Sequence, residues 1–552
     1  MINTTTRINT TMKKTPHFNI PSGYRLAKDN LGNRAFVCDD ESHHLGSTDK
    51  QSSPHKTAPV CIRIQAQPDK PTLSGLTTAN DVYQRIQEVI ELQNKHRLSS
   101  LYKRRWRRRM KDDDDVNRKE SGGGETGNNS SCDGGEESRP SWSFAVAQFN
   151  ALAEGLSSSS ASSSMPFSPT SKGGGEDSKF FPSDEYGGFT SVPNPEICLN
   201  FDLRRWRILE VLLGGGIVVE NVEKNIAKQQ QNPSSLSMAS SILSPFDIVA
   251  MEEIDHYHNF FQPILSEFFG YDSFFTPKPS SPSTKLGWYS DGCALFYKKN
   301  VFEFVLKKEG VYDVGTQVYL IVALRHRESG QVLVTASTHL KAKEGELNER
   351  IRTAQAVQLC EMVCAVVDKM KKERNVVKHD GESSGKENEQ RSRQSGIPVI
   401  IMGDFNAEPV GEGRTCVQSV VGKSHSSSFL PGMRSAYKTD PPPDALFTTW
   451  KTRGVKTVRR IIDYIFYHNG HAFDQAGCSH GENTARGTSV EENAVDKTKE
   501  SSNDAESLAF QCTHTLDLPK DHEVDTERLP GFRYPSDHMM IAARFKLEKV
   551  QS

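Results

Sequence analysis

Apolar and polar residues alternate in short segments from about residue 140 to the C-terminus, which is typical of β-strands with one buried face. The first such segment, 143–150, ends in a polar residue, and the apolar segment 246–251 stops at two glutamates. Further strands are predicted at 293–297, 301–306, 318–325, 332–338, 399–402, 461–467 and 539–545. Polar turns between neighbouring segments predict two hairpins, 293–306 and 318–338.

Helical periodicity, with apolar residues three and four positions apart, is rarer along the chain than strand alternation. It predicts a basic helix near 80–111, a helix over 203–213 that Asp202 caps, and a long amphipathic helix over 344–373. Because predicted strands outnumber helices, we expect an α/β fold in which two packed, mostly antiparallel sheets are flanked by helices.

The composition predicts how the chain is divided. Only 35% of the 552 residues are hydrophobic, and tracts of Ser, Gly and charged residues recur. We therefore expect one large domain, 140–552, behind a largely disordered N-terminal region, 1–139. Within the domain, polar inserts are predicted near 155–196, 375–396 and 478–510.

Charge and cysteine usage bear on partners and compartment. The formal net charge of −2 gives no overall electrostatic argument for a nucleic-acid partner. Ten cysteines without a CxxC pair suit a reducing compartment, and the chain lacks the run of about 18 apolar residues that predicts a transmembrane helix. We therefore expect a cytoplasmic protein. One alternative is a mitochondrial transit peptide in the acid-poor residues 1–28. The basic segment 103–111 has three interpretations: a nuclear signal, a patch that binds RNA or a membrane surface, or a solvated helix end.

Acidic and amide side chains recur where a predicted apolar strand ends. Asp404 and Asn406 follow strand 399–402, and a carboxylate beside a carboxamide can activate water and donate to a phosphate oxygen. The alternative is an Asx turn that closes a surface loop. Glu253 is an oxygen ligand of the kind that a hard divalent cation prefers, whereas alternation directs Glu252 elsewhere and makes it a bystander.

The sequence before the last predicted strand contains a second pair of polar residues, Asp537 and His538. Asp537 can bind a cation, and His538 can exchange a proton or a hydrogen bond with a reacting phosphate. A lone imidazole has no defined tautomer, so His538 needs an orienting partner. Asp463, which lies inside an apolar strand, is the candidate; its alternative is a structural salt bridge with Arg459 or Arg460.

A basic pattern follows the predicted strand 332–338. His339, Lys341 and Lys343 alternate there, which predicts one polar face that can bind phosphate. A solvated basic loop is the alternative interpretation of the same pattern.

Five of these motifs together resemble the deadenylase-type branch of the endonuclease/exonuclease/phosphatase superfamily. They are Glu253–Tyr257, Asp291–Phe296, Ser337–Lys341, Gly403–Pro409 and Ser536–His538. Within that branch, the stretches 261–265, 277–279, 448–451 and 528–538 are most similar to nocturnin-type enzymes. The resemblance is collinear over about 141–549 and does not cover the first 140 residues.

The resemblance implies the two-sheet sandwich of that superfamily and a Mg²⁺-dependent phosphoesterase, with Mn²⁺ as the alternative metal. It implies that Glu253 binds the metal, with Asn150 and Asp537 close to the ion. Asp404, assisted by Asn406, is then expected to orient or deprotonate the attacking water.

The resemblance also implies how the substrate is held. His339 and His538, the latter oriented by Asp463, are expected to stabilise the phosphate as its charge develops. Four basic residues are expected to clamp the rest of the substrate: Lys278, Lys341, Lys343 and Arg453.

Three functions follow as expectations. Nocturnin-type enzymes imply removal of the 2′-phosphate from NADP(H), whereas more distant relatives imply trimming of poly(A) RNA from its 3′ end. The third is an inactive scaffold that binds RNA-decay factors, which predicts eroded motifs, and no erosion is seen. Two residues depart from the pattern: Lys343 stands where arginine is usual, and Glu252 where glutamine is usual.

Overall fold

The computed structural model describes sixteen stretches of the chain. They are 24–28, 34–38, 61–64, 75–97, 99–109, 141–157, 186–218, 244–281, 284, 290–379, 396–411, 414–421, 432–438, 446–470, 507–524 and 526–550. Most of each predicted polar insert lies outside the described residues.

A small antiparallel sheet lies in the region that was predicted to be largely disordered. Its strands β1 (Tyr24–Lys28), β2 (Arg34–Cys38) and β3 (Cys61–Ile64) pair in that order. Each segment has four or five residues, which is too short for sustained periodicity, so the prediction of disorder was wrong for these segments. Aromatic and β-branched residues such as Phe36 and Ile62, whose Cα atoms are partners in the β2–β3 register, favour strands there.

The remaining strands form the two packed sheets of the prediction and one separate hairpin. They are β4 (Trp106–Arg108), β5 (Ser141–Asn150), β6 (Ile248–Ile254), β7 (Tyr271–Pro277), β8 (Gly292–Lys298), β9 (Phe302–Val311), β10 (Val318–His326), β11 (Val332–His339), β12 (Val399–Asp404), β13 (Arg434–Ser435), β14 (Thr449–Arg453), β15 (Lys456–Arg460), β16 (Asp463–His468), β17 (Ser507–Leu516) and β18 (Ile541–Val550). One sheet has the order β4-β17-β18-β5-β6-β8-β7 and the other β13-β16-β12-β11-β10-β9, while β14 and β15 form a separate hairpin. Within the two sheets, β5–β6 and β11–β12 are the parallel pairs, so the predicted fold class is confirmed.

Helices cover the outer faces of both sheets. They are Ala79–Asn94, Pro195–Cys198, Phe201–Leu212, Gln262–Phe269, Glu346–His379, Arg414–Val421 and Asp521–Val524, with a 3₁₀ turn at Glu154–Leu156 and a π-helical turn at Tyr257–Phe261. The inner faces pack on each other through buried apolar side chains that include Val146, Leu295, Val322, Ile400 and Phe545. Among the described residues, no helix is both long and apolar enough to cross a membrane.

The helix Ala79–Asn94 shows that part of the predicted N-terminal region belongs to the main fold. Thr78 and Asp81 form a capping box at its start. Val82, Ile86 and Val89 lie in the same apolar cluster as residues of β5 and β6. The predicted boundary at residue 140 is therefore wrong for the described stretch 79–109, which packs on the sheets.

The predicted basic helix near 80–111 is also shorter than expected. The helix ends at Asn94, and Trp106–Arg108 forms an edge strand paired with β17. Trp106 is half-buried against the core whereas Arg105 and Arg107 are exposed, which is the two-residue period of a strand. Elsewhere Asn200, rather than Asp202, caps the helix Phe201–Leu212 by accepting a hydrogen bond from Asp202 N at 2.9 Å.

Candidate active site

The predicted site residues lie at one end of the two sheets, where several central strands begin or end. His339 ends β11 opposite Asp404 in β12, and Asp404 lies opposite Asp463 in β16. In the facing sheet, Asn150 ends β5 beside Glu252 of β6, and β18 follows His538. We call the following buried or half-buried residues the strand-end cluster: Asn150, Glu253, His339, Asp404, Asp463, Asp537 and His538.

His538 and Asp463 form the hydrogen-bonded pair that the sequence predicted. His538 Nδ1 lies 2.9 Å from Asp463 Oδ2, and both side chains are buried. Burial by itself lowers the pKa of His538, but the negative charges of Asp463 and Asp404 outweigh it and raise that pKa to about 9. The imidazole is therefore protonated at neutral pH.

The alternative partners of Asp463 are used elsewhere. Arg459 Nη2 binds Asp521 Oδ1 at 2.9 Å, and Arg460 pairs with Glu344 and Glu408. The predicted alternative, a salt bridge of Asp463 with either arginine, is thus not what orients this carboxylate.

Asp404 is held by two hydrogen bonds on different oxygens. Asn150 Nδ2 donates to Asp404 Oδ2 at 3.0 Å, and Asn406 N donates to Asp404 Oδ1 at 2.8 Å. The second bond is an Asx-type turn, but its carboxylate is buried instead of closing a surface loop. Burial, followed by the charge of Asp463, raises the pKa of Asp404 to about 7. Asn406 adopts a left-handed φ of 50°, and its Nδ2 donates to the Leu340 carbonyl at 3.2 Å.

His339 connects the cluster to a buried ion pair. Its Nε2 lies 3.6 Å from Asp404 Oδ2 and 3.8 Å from Glu253 Oε1. Its Nδ1 lies 3.3 Å from Lys278 Nζ, which binds Asp291 Oδ2 at 2.5 Å. Burial, and next the charge of Lys278, hold the pKa of His339 well below its usual value, so this imidazole is neutral. Sequence reasoning gave Asp291 no role, although a lysine expected in a buried site needs such a partner.

A β-bulge directs Glu253 and Glu252 to different places. The pairing of β6 with β8 shifts between Met251 and Ile254, and Glu253 has a left-handed φ of 53°. Bulges commonly re-aim a side chain next to an active site, and non-glycine residues with positive φ cluster at such sites. The half-buried Glu253 is placed by this bulge.

Glu252 belongs to a buried hydrogen-bond network that reaches Asp463, a contact that the sequence did not predict. It is fully buried between the sheets, where its carboxylate accepts hydrogen bonds from Gln148 Nε2 at 2.8 Å and Ser337 Oγ at 3.0 Å. Gln148 Nε2 also donates to Asp463 Oδ1 at 3.0 Å. Burial is the largest cause that raises the pKa of Glu252 well above its usual value. The missed signal was Gln148, a polar residue in register with the inward-facing Phe144 and Val146.

Asp537 lies between two basic side chains of the β14–β15 hairpin. Its Oδ2 binds Lys451 Nζ at 2.5 Å and lies 3.4 Å from Arg453 Nη2. Burial opposes ionisation, but the charges of Lys451, His538 and Arg453 together hold the pKa of Asp537 well below its usual value. Lys451 is a second residue to which sequence reasoning gave no role, although it lies in a motif that was recognised.

The other two lysines that were predicted to bind the substrate, Lys341 and Lys343, lie on residues 341–345, which we call the rim loop. Lys341 is half-buried and Lys343 is exposed with a φ of 82°. Arg352 Nη1 binds their carbonyl oxygens at 3.1 and 2.6 Å, and Glu344 pairs with Lys456 of the hairpin at 2.5 Å. Within the described part of the chain, no hydrogen bond or ion pair joins either ammonium group to the strand-end cluster.

The carboxylate and imidazole groups of the site can be compared with the ligands that a divalent metal prefers. Asp404, Asp463 and His538 each bring one ligand atom within 4.8 Å of the others, but the bond between His538 and Asp463 suits proton handling better than metal binding. Asp537 Oδ1 is buried and has no hydrogen-bond partner among the described residues, and Glu253 offers a second carboxylate. Such hard oxygen donors fit Mg²⁺ or Mn²⁺.

Comparisons with known proteins agree with this architecture. Residues 221–538 match the family described as Endonuclease/Exonuclease/phosphatase. Nocturnin from Mus musculus is 29% identical over 357 residues, which are 62% of this chain and 65% of that protein. Nocturnin from Homo sapiens is 30% identical over 353 residues, which are 62% of this chain and 64% of that protein. The chain thus spans a little under two thirds of the length of these relatives.

Two solved structures also align with about three quarters of this chain. The human Nocturnin catalytic domain with bound sulfate has 23% identity and a TM-score of 0.39, covering 75% of this chain and 98% of that one. ANGEL2, a 2′,3′-cyclic phosphatase, in complex with adenosine-2′,3′-vanadate has 16% identity and a TM-score of 0.41, covering 74% and 96%. Because the family match extends over more than half of the chain, this protein belongs to the endonuclease/exonuclease/phosphatase family.

Proposed function

We propose that this chain is a divalent-metal-dependent phosphoesterase that removes the 2′-phosphate of NADP(H) by in-line attack of water. The observation that carries the proposal is the pairing of a protonated His538 with Asp463 beside a carboxyl group, Asp404, whose pKa is about 7. A base near neutrality next to a fixed cationic donor suits attack of water on a phosphate.

Each group of the cluster has a distinct task in this proposal. Asp404 accepts a proton from the attacking water as the new P–O bond forms, because a carboxyl group with a pKa of about 7 is about half ionised at neutral pH. The 2′ oxygen takes up a proton from solvent as its bond to phosphorus breaks. His538 donates from Nε2 to a phosphate oxygen while Asp463 fixes its Nδ1–H. The neutral His339 provides a second polar contact for the phosphate, and Asn150 and Asn406 hold Asp404 in place.

Glu253 and Asp537 are the residues that would hold Mg²⁺ or Mn²⁺, and Asn150 ends β5 opposite Glu252, the neighbour of Glu253 in β6. When bound, the ion supplies Lewis-acid neutralisation of the charge on the phosphate. Lys451 and Arg453 already neutralise Oδ2 of Asp537, which leaves its Oδ1 available as an oxygen donor.

The choice of substrate rests on the cations around the cluster and on the resemblance to nocturnin-type enzymes. Lys278 reaches His339 directly, and Arg453 reaches Asp537, so both stand next to the reacting phosphate. Lys341 and Lys343 stand further out on the rim loop, where they can bind the pyrophosphate of a dinucleotide.

A poly(A)-specific 3′ exoribonuclease is the second candidate function. It is favoured by the exposed basic side chains of the edge strand and its flank, namely Lys103, Arg105, Arg107 and Arg108. Such a strip can bind the backbone of a long RNA, whereas a dinucleotide is too small to need it. An inactive scaffold for RNA-decay factors is disfavoured, because every motif residue of the strand-end cluster is retained.

The proposal is tested with the purified full-length chain, NADPH and oligo(A), each with Mg²⁺ and with EDTA. We expect phosphate release from NADPH in Mg²⁺ and its loss in EDTA. Shortening of oligo(A) without phosphate release from NADPH would replace the first candidate by the second. Turnover of neither substrate would leave the proposed activity wrong.

A further inference from the structure

The segment 186–190 packs against the hairpin that carries Arg453. Phe189 pairs with Arg453 in a short antiparallel bridge, and the Gly454 amide donates to the Gly188 carbonyl at 2.9 Å. Thr190 adds two bonds, from its amide to the Thr452 carbonyl at 3.3 Å and from its hydroxyl to the Gly454 carbonyl at 2.7 Å. Three hydrogen bonds therefore fix Phe189 opposite Arg453.

The same segment is also pressed onto the chain that follows Asn150. Gly187 has a left-handed φ of 65°, and a Cβ on it would lie 1.9 Å from the Leu156 carbonyl oxygen. No side chain can be accommodated at that distance, so the glycine lets the two backbones touch. Segment 186–190 thus joins the hairpin to the loop at the end of β5.

The guanidinium of Arg453 is held on several sides. Its Cζ lies 4.2 Å from the centroid of the Phe189 ring, its Nη1 donates to the Gly187 carbonyl at 3.2 Å, and its Nη2 lies 3.4 Å from Asp537 Oδ2. Arg453 Nε is buried and has no hydrogen-bond partner among the described residues. The Arg453 side chain as a whole is 36% exposed, so an anionic ligand can reach its guanidinium from solvent.

We propose that Phe189 is a positioning residue whose ring holds the Arg453 guanidinium in one orientation, so that Arg453 meets an anionic phosphate of the substrate without first being ordered. A free arginine side chain samples many rotamers, and its flat, weakly hydrated face packs well on an aromatic ring. The ring is 6% exposed and belongs to a small apolar cluster with Leu152 and Val192. This inference rests on the proposed function for the identity of the ligand.

The cluster supplies a matched control for a purely structural role. Val192 is buried in the same cluster, 8% exposed, so Val192→Ala loosens the packing there without removing the ring. Phe189→Leu keeps apolar bulk but removes the aromatic face, and Phe189→Tyr keeps that face. Circular dichroism and melting temperature establish that each variant is folded.

We expect Phe189→Leu to raise KM for NADPH about fivefold and to change kcat by less than about twofold, since positioning acts on ligand capture. Phe189→Tyr and Val192→Ala should stay within about twofold of the original KM. In an Arg453→Met background, Phe189→Leu should have no further effect, because two residues that act through one contact are not additive. An equal rise of KM in both backgrounds, or an equal rise for Val192→Ala, would overturn the proposal.

A second measurement needs no substrate. The ¹⁵Nε order parameter of Arg453 in the full chain should fall in Phe189→Leu and be unchanged in Val192→Ala. An unchanged order parameter in Phe189→Leu would refute the positioning role, whatever the activity. If the unmodified chain does not hydrolyse NADPH, the proposed function fails while this measurement still decides the role of Phe189.

Discussion

At the strand ends His538, Asp463 and Asp404 are buried and joined side chain to side chain, whereas on the rim loop Lys343 is exposed and is anchored through its backbone carbonyl. In the first arrangement the register of β12 and β16 places Asp404 opposite Asp463, and His538 reaches Asp463 from the facing sheet, so each side chain has little freedom. The second depends on Arg352 and on surface ion pairs, which water and salt weaken.

This difference suggests a division of tasks between the two regions. In the proposed function the strand-end cluster performs chemistry that any phosphate ester needs, so damage there should abolish turnover of every substrate. In the same proposal the rim loop contacts only what extends beyond the reacting phosphate, so changes there should alter the preference among substrates. The predictions below test that division, from the largest effect to the smallest.

Glu253→Gln should lower kcat by at least about a thousandfold on NADPH and on oligo(A) alike, because it removes a hard anionic ligand and keeps the volume. Steady-state kinetics over a range of Mg²⁺ concentrations checks this. The neighbouring Glu252→Gln is the control. A neutral amide can replace that buried carboxyl because the Ser337 hydroxyl can turn to accept, so activity and melting temperature should be retained. Near-normal activity of Glu253→Gln would contradict its assignment as a metal ligand.

Asp463→Asn should lower kcat on the order of a thousandfold, because the amide no longer fixes the imidazolium of His538. Asp521→Asn, which breaks the surface pair with Arg459, is the matched control and should act within about twofold.

In the metal-free protein, the effect of Asp463→Asn on the free energy of unfolding should depend on pH. Folding raises the pKa of His538 to about 9, above an unfolded value of about 6.5. The stabilisation is therefore fully present below pH 6.5 and is lost as pH rises through 9. Urea unfolding should show the original chain more stable than Asp463→Asn at pH 6, with a smaller difference at pH 9.5. A difference that grows with pH would show that Asp463 does not act on His538.

Much of this contrast could be predicted from the sequence, because a polar residue at the end of an apolar strand or inside one is a local signal. Asp404, Asp463 and His538 were found in that way. Lys451 was given no role, since its partner Asp537 is 86 positions away and becomes its neighbour only in the folded chain. Asp291 was given no role either, because its contact with Lys278 forms only when the neighbouring strands β7 and β8 pair. Their contribution depends on tertiary structure, which periodicity does not report.

The N-terminal stretch shows a second reason for error. Arg105, Trp106 and Arg107 fit the end of a basic helix on charge alone. Their side chains, however, are exposed, half-buried and exposed in turn, which is the alternation of a strand. A strand of three residues is too short for that period to be distinguished from a helical one.

Lys343→Arg should raise kcat/KM on NADPH about fivefold and change it little on oligo(A). A guanidinium can make two parallel charge-assisted hydrogen bonds to a phosphate where an ammonium makes a point contact, a gain on the order of 1 kcal/mol. A long RNA spreads its contacts over many phosphates, so one exchange of equal charge matters less. Equal effects on both substrates, or a loss confined to NADPH, would favour the exoribonuclease.

Glu344→Gln should have the smallest effect. It removes the ion pairs that tie the rim loop to Lys456 and Arg460 of the hairpin, and exposed pairs of this kind contribute roughly 0.2–1 kcal/mol. We expect KM for NADPH to rise about twofold at low salt, with kcat unchanged because the strand-end cluster does not contact Glu344. The rise should disappear at about 0.5 M salt, where the pairs are already screened. A change in kcat that persists at high salt would mean that the rim loop positions the chemistry itself, and the division between the two regions would not hold.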